Sequence, residues 1–125
     1  MYPDAGKNDR GQDLSFVITG DIYAMWLRDS TNQMLPYIDF AKSDEALNSL
    51  FQGVIRKQID GVLLDPYANA FNRDHSGDGA NDRRTPNMQP GLHEGKYELD
   101  SLAAVIKLSC RYCTLPYTHT LSSSL

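Results

Sequence analysis

Hydrophobic positions divide the chain into a short extended run, three helical stretches and one long aperiodic loop. The run at residues 14–19, LSFVIT, is closed by Gly20 and Asp21 and fits a short strand or a buried extended segment. A first helix is expected from Ser30, where Ser30 and Gln33 have the spacing of a capping box, with Met34, Leu35, Tyr37 and Ile38 behind it. Pro36 falls inside that stretch and predicts a kink or a late start. The second helix has the clearest stripe: Leu47, Leu50, Phe51, Val54, Ile55, Ile59 and Val62. Ser43 suits its N-cap, Asp44 and Glu45 suit the positive end of its dipole, and Gly61 reads as its stop. A third helix is expected over residues 96–113, with Leu99, Leu102, Ala103, Ile106, Cys110 and Cys113 as the buried stripe. The fold class is therefore all-α. Residues 1–13 read as a flexible leader, 14–113 as the folded unit and 114–125 as a tail without amphipathic pattern.

Composition narrows the function. With 125 residues the chain is one domain at most. Its net charge of −4 argues against a nucleic-acid partner, which demands a basic surface. No uninterrupted apolar run, residues 102–106 included, approaches the ~20 residues of a membrane span. The first ten residues carry Asp4, Lys7, Asp9 and Arg10 instead of an apolar signal, which favours the cytoplasm if Met1 is the true start. Two cysteines are too few for a disulfide scaffold. The acids are 13 Asp against 3 Glu, a balance that favours caps, turns and polar sites over helix interiors.

Three clusters could carry chemistry. Residues 19–30, TGDIYAMWLRDS, bring the single Trp, an Arg and an Asp to the start of a helix. A guanidinium fork, a carboxylate and a flat indole suit a sugar, with hydroxyls on its rim and an apolar ring face; they equally suit a capped helix with a buried Trp and a structural Arg–Asp pair. Residues 65–72, DPYANAFN, group Tyr67, Asn69, Phe71 and Asn72 at the head of the aperiodic loop, which spans residues 65–95; the same residues also make an ordinary turn. Residues 96–101, KYELDS, set Glu98 and Asp100 two positions apart, on different faces of a helix and so a poor acid/base pair on their own. Asp74 to Gly79 imitates half of a calcium loop, but Thr85 stands where the bidentate Glu belongs. Cys110 and Cys113 form a CxxC at a helix end, with His75, His93 and His119 at irregular spacing, and buried core thiols are expected over a redox or zinc site.

TGDIYAMWLRDST, then the stretch from Gln58 to Asn72, then KYELDSL, in this order and spacing, resemble glycoside hydrolase family 125 over roughly residues 15–111. The resemblance implies a metal-independent, inverting exo-α-mannosidase directed at α-1,6 linkages, needing no cofactor and acting on an α-mannoside glycan. It implies an (α/α)6 barrel, and it points to Trp26, Arg28, Asp29, Tyr67, Asn69, Asn72 and Glu98 as substrate-binding residues. It matches no acid or base within this sequence, so the catalytic pair is expected beyond the end of this chain. Twelve helices with their connections need ~190 residues, so the 125 present fit the N-terminal part of such a barrel. Such a part is expected to be poorly stable and inactive alone. Two alternatives are a small enzyme using Asp29 with Glu98 or Asp100, and a non-catalytic carbohydrate-binding or calcium-binding module.

Overall fold

The computed structural model describes residues 4–74 and 88–116. In chain order it contains β1 (Met25–Trp26), α1 (Leu27–Met34), a 3₁₀ helix (Leu35–Lys42), α2 (Glu45–Leu64), β2 (Ala70–Phe71), β3 (Leu92–Glu94) and α3 (Leu99–Cys113). Helix predominates, but the all-α expectation is corrected by an antiparallel sheet of order β1-β2-β3. Met25 pairs with Phe71, Trp26 with Ala70, and Ala70 with Glu94. Strands of two or three residues are too short to show alternation, so the sequence pattern passes over them.

Residues 14–17 take the buried extended form, and Phe16 is fully buried. The preceding residues fold back on themselves: Ala5 N donates to Leu14 O and Leu14 N to Gly6 O, both at 2.9 Å. Helix α1 starts three residues before the expected Ser30. Its first amide, Leu27 N, is satisfied by the backbone carbonyl of Asn69 at 3.1 Å, so no side-chain cap is needed. Ser30 lies inside the helix, donating to Leu27 O at 3.2 Å, and the capping box does not form. At Pro36 the α-helix gives way to the 3₁₀ helix, the change that a missing N–H and a fixed φ impose.

In α2 the cap is Asp44, whose Oδ1 accepts from Leu47 N at 2.9 Å, rather than Ser43. The helix runs through Gly61 and stops at Leu64, ahead of Asp65, which Pro66 forces into an extended conformation. Gly61 faces Phe71: a Cβ there would lie 3.0 Å from the ring. Gly53 faces Ser15 in the same way, closer still. Both glycines mark close approach to a neighbouring segment.

The face of α3 is the opposite of the one expected. Ser101, Ala104, Val105 and Leu108 are buried, while Leu99 and Ile106 are 72% and 64% exposed. Small residues let α1 come close enough for Thr31 Oγ1 to donate to Ala104 O at 3.2 Å, a contact that a count of large apolar residues does not weigh. Cys110 and Cys113 are free and exposed, which corrects their expected burial. One core cluster gathers Phe16, Val17, Met25, Met34, Phe51, Val54 and Leu108; a second gathers Leu27, Phe71, Leu92 and Val105 under the sheet. Among the described residues no helix is long and apolar enough to cross a membrane.

Candidate functional site

The sheet gathers three polar side chains from distant parts of the chain. β1 ends on Trp26, β3 ends on Glu94, and Asn69 precedes β2. Asn69 is fully buried and uses all its groups. Its Nδ2 donates to Glu94 Oε2 at 2.6 Å, its Oδ1 accepts from Lys96 N at 3.2 Å, and its backbone joins Leu27 N and Glu94 O. Glu94 Oε2 also accepts from Trp26 Nε1 at 3.3 Å, which fixes the plane of the indole. The His93 ring and the indole meet in a T-shaped arrangement, with centroids 5.3 Å apart. Burial lowers the pKa of His93, and its Nδ1 lies 3.3 Å from Asn72 Oδ1. Asn72 in turn donates to Leu92 O at 3.0 Å.

Two residues beyond Trp26, Arg28 organises the acids. Its Nη1 reaches Glu98 Oε2 at 2.9 Å and Asp100 Oδ2 at 3.2 Å, and its Nη2 lies 3.4 Å from Asp29 Oδ2. Glu98 and Asp100 do not diverge as a helical pair would, because Glu98 is the N-cap of α3 and extended. Both reach the same guanidinium. Glu98 also takes Ser101 Oγ at 3.1 Å and Lys96 Nζ at 3.2 Å. Burial alone would raise its pKa; hydrogen bonds from Lys96 and Ser101 and the charge of Arg28 outweigh that and hold it below the ordinary value. Arg28 is held more firmly protonated, chiefly through its hydrogen bond with Asp100.

Trp26, Arg28 and Asp29, together with Thr19, Gly20, Asp21 and Ile22, line a cleft of about 230 Å³. Asp29 Oδ2 is buried and receives no hydrogen bond among the described residues, despite its contact with the guanidinium. Behind α1, the fully buried Gln58 donates through Nε2 to Leu27 O, Ser30 Oγ and Thr31 Oγ1 at 3.3, 2.9 and 3.0 Å. This holds rigid the helix turn that presents Arg28 and Asp29.

The seven residues singled out by sequence therefore take different places. Trp26, Arg28 and Asp29 line the cleft. Asn69 and Glu98 stand behind Trp26 and Arg28, and Asn72 acts through His93. Tyr67 is 69% exposed, packs against Tyr97 at 5.7 Å and does not line the cleft. Sequence reasoning missed Glu94, His93, Lys96 and the role of Gln58. Glu94 is one of only 3 Glu in the chain and stands in an aperiodic stretch, so scarcity was its one signal. Among the described residues no group of three or more His, Cys, Asp or Glu could hold a metal ion. Of the imitation calcium loop, Asp74 is described and residues 75–79 lie outside the described residues.

A solved metal-independent α-mannosidase of Streptococcus pneumoniae, in a non-productive substrate complex with α-1,6-mannobiose, is 38% identical and superposes with a TM-score of 0.74 over 86% of this chain and 25% of its own. The meiotically up-regulated gene 157 protein of Schizosaccharomyces pombe (strain 972 / ATCC 24843) is 47% identical over 78% of this chain and 21% of its own length. The chain thus spans between a fifth and a quarter of these relatives. The profile of the metal-independent α-mannosidases matches residues 4–122, nearly the whole sequence, and the chain belongs to that family, glycoside hydrolase family 125.

Proposed function

We propose that this chain builds part of the mannose pocket of an inverting exo-α-1,6-mannosidase and corresponds to the N-terminal portion of its (α/α)6 barrel, without the catalytic pair. The observation that carries the reading is the cleft lined by Trp26, Arg28 and Asp29, in which the guanidinium offers donors and the partly exposed Asp29 carboxylate offers an acceptor. A hexose answers both needs. Its hydroxyls accept from the guanidinium and donate to Asp29, and its ring face lies against the indole. The relative's recorded ligand, α-1,6-mannobiose, has this chemistry. About 230 Å³ is below the ~300 Å³ at which pockets for drug-sized ligands begin, and suits a single sugar ring. Asn69, Asn72, Glu94 and Glu98 serve as positioning residues for Trp26 and Arg28. Tyr67 enters the reading only as an outer contact.

The acid and the base come from elsewhere in this reading. A general acid in an inverting glycosidase needs a raised pKa and a partner carboxylate ~6.5–9.5 Å away. Glu98 is held in the opposite direction, as a carboxylate, by Lys96, Ser101 and Arg28.

Trp26 is the only Trp, so its fluorescence reports on the cleft without interference. Titration of the chain with mannose and with α-1,6-mannobiose is expected to shift or quench its emission saturably, and Asp29→Asn is expected to weaken that response. The same preparation is expected not to hydrolyse α-1,6-mannobiose. An emission unchanged by either sugar overturns the pocket, and turnover by the purified chain overturns the absence of a catalytic pair.

A further inference from the structure

Lys57 is a buried amine without an acid against it. Lys7, Lys42 and Lys96 each pair with a carboxylate, those of Asp13, Asp39 and Glu98. Lys107 is exposed. Lys57 is only 9% exposed, and among the described residues it forms no ion pair. Its Nζ donates to the backbone carbonyl of Arg73 at 2.9 Å, which leaves donors to spare. A buried ammonium without a counter-ion is costly, and an amine escapes that cost by giving up its proton. Burial lowers the pKa of Lys57, and the charges of Asp60 on its own helix and of Asp74 beyond β2 only partly oppose it. Lys57 also lines a cavity of about 730 Å³, formed from α2 and from the folded-back stretch before Leu14. This cavity shares no lining residue with the sugar cleft. Its volume lies within the ~300–1,000 Å³ of small-molecule sites. Leu14, Leu64 and Phe71 give it an apolar lining. Its cations, Arg10, Arg56 and Arg73 among them, outnumber its acids, although the whole chain has a net charge of −4. Arg56 is held by Asp13 O at 3.3 Å and Gln52 Oε1 at 3.0 Å, so its fork is fixed with N–H groups still unused.

We propose that this cavity is a modification site, at which Lys57 forms a reversible imine with a small aldehyde that carries a phosphate. The neutral amine attacks the carbonyl carbon. The oxygen then leaves as water with the two protons of Nζ, so that C=N replaces C=O and nothing is oxidised or reduced. Once protonated by solvent, the imine keeps one N–H for the Arg73 carbonyl. The cavity specifies the aldehyde. A desolvated lysine is the nucleophile that aldehydes select, the apolar lining takes the carbon skeleton, and guanidinium groups match the oxygens of a phosphate. The proposal is independent of the sugar-binding reading above.

The full chain is treated with limiting pyridoxal 5′-phosphate, reduced with cyanoborohydride and digested, and the modified lysines are located by mass spectrometry. Lys57 is expected to carry at least tenfold more label than any other lysine. Pyridoxal, which lacks the phosphate, is expected to label Lys57 at least tenfold less, and inorganic phosphate is expected to compete with pyridoxal 5′-phosphate. Concentrated urea is expected to level the lysines, because the preference comes from the fold. Lys57→Arg keeps the charge without the primary amine, and is expected to remove the dominant label while leaving the helical circular dichroism unchanged. Glyceraldehyde 3-phosphate separates the sources of the ligand: the same preference for Lys57 extends the site to phosphorylated sugars, and a preference confined to pyridoxal 5′-phosphate narrows it to aromatic aldehydes. Three outcomes overturn the proposal: label spread over the lysines according to their exposure, a preference that survives urea, or equal labelling of Lys57 by pyridoxal. None of these readouts involves a hexose or Trp26, so failure of the modification site and failure of the sugar pocket are separate results.

Discussion

Replacing Asn69 tests whether the buried amide holds the site together. Asn69→Ala removes the donor to Glu94 Oε2 at 2.6 Å and the acceptor for Lys96 N at 3.2 Å, and leaves a fully buried gap. A hydrogen bond to a charged group contributes ~1.5–3 kcal/mol and one between neutral groups ~0.5–1.5 kcal/mol, so the loss is roughly 2–4 kcal/mol. Asn69→Asp keeps the shape and the acceptor for Lys96 but turns the donor into an oxygen facing Glu94 Oε2. Burial and the facing carboxylate raise the pKa of the introduced group above its unfolded value. A rise of ~3 units costs ~4 kcal/mol at neutral pH. The sign of the pH dependence follows: a raised folded pKa favours the native state at low pH, and that contribution is lost as pH rises through it. In acid a shared proton restores the contact. Urea midpoints would be followed by circular dichroism and Trp26 emission at about pH 7 and pH 5, each variant against the parent at the same pH. Both variants should be severely destabilised near neutrality, and only Asn69→Asp should recover at pH 5. An Asn69→Asp deficit equal at both values, or absent at pH 7, would refute the reasoning.

Two further predictions concern α2 and Glu98. Gly53→Ala places a Cβ 2.3 Å from Ser15 Oγ and 2.9 Å from its backbone N, whereas Gly61→Ala meets only the Phe71 ring at 3.0–3.1 Å. Overpacking of ~1–3 kcal/mol against a helix gain of ~1 kcal/mol makes Gly53→Ala the more harmful, and a raised urea midpoint for that variant would contradict the packing. The pKa of Glu98 is lowered from 4.5, so its stabilisation is present above that value and lost as pH falls through the lowered one. The melting-temperature gap between the parent and Glu98→Gln should therefore close below about pH 4.5, and a gap independent of pH would remove the ion-pair account.

The sequence made some of this legible and hid the rest for physical reasons. Helix α2 was readable because Phe51 and Val54 belong to a long stripe with an acidic start. Its end was misplaced because Gly61 is there for contact with Phe71 and not as a stop. Trp26, Arg28 and Asp29 were found together because they are adjacent in sequence and line one cleft. Their supports were not, since Glu94 lies 68 positions from Trp26 in a loop without period. The faces of α3 were exchanged because both are apolar and the larger residues are on the outer one. Periodicity finds a stripe but cannot say which of two stripes this chain covers.

The sheet has a kinetic consequence. Trp26 and Glu94 close a loop of 68 positions, and Arg28 and Glu98 one of 70. Helices form within about a microsecond, whereas contacts this distant in sequence must first bear the entropy of closing the loop. During synthesis at ~5–20 residues per second, Trp26 and Arg28 leave the ribosome roughly 4–14 s before their partners. The indole therefore takes its final hydrogen bond among the last events of folding, and its emission should settle with the slow phase, after the helical signal is complete.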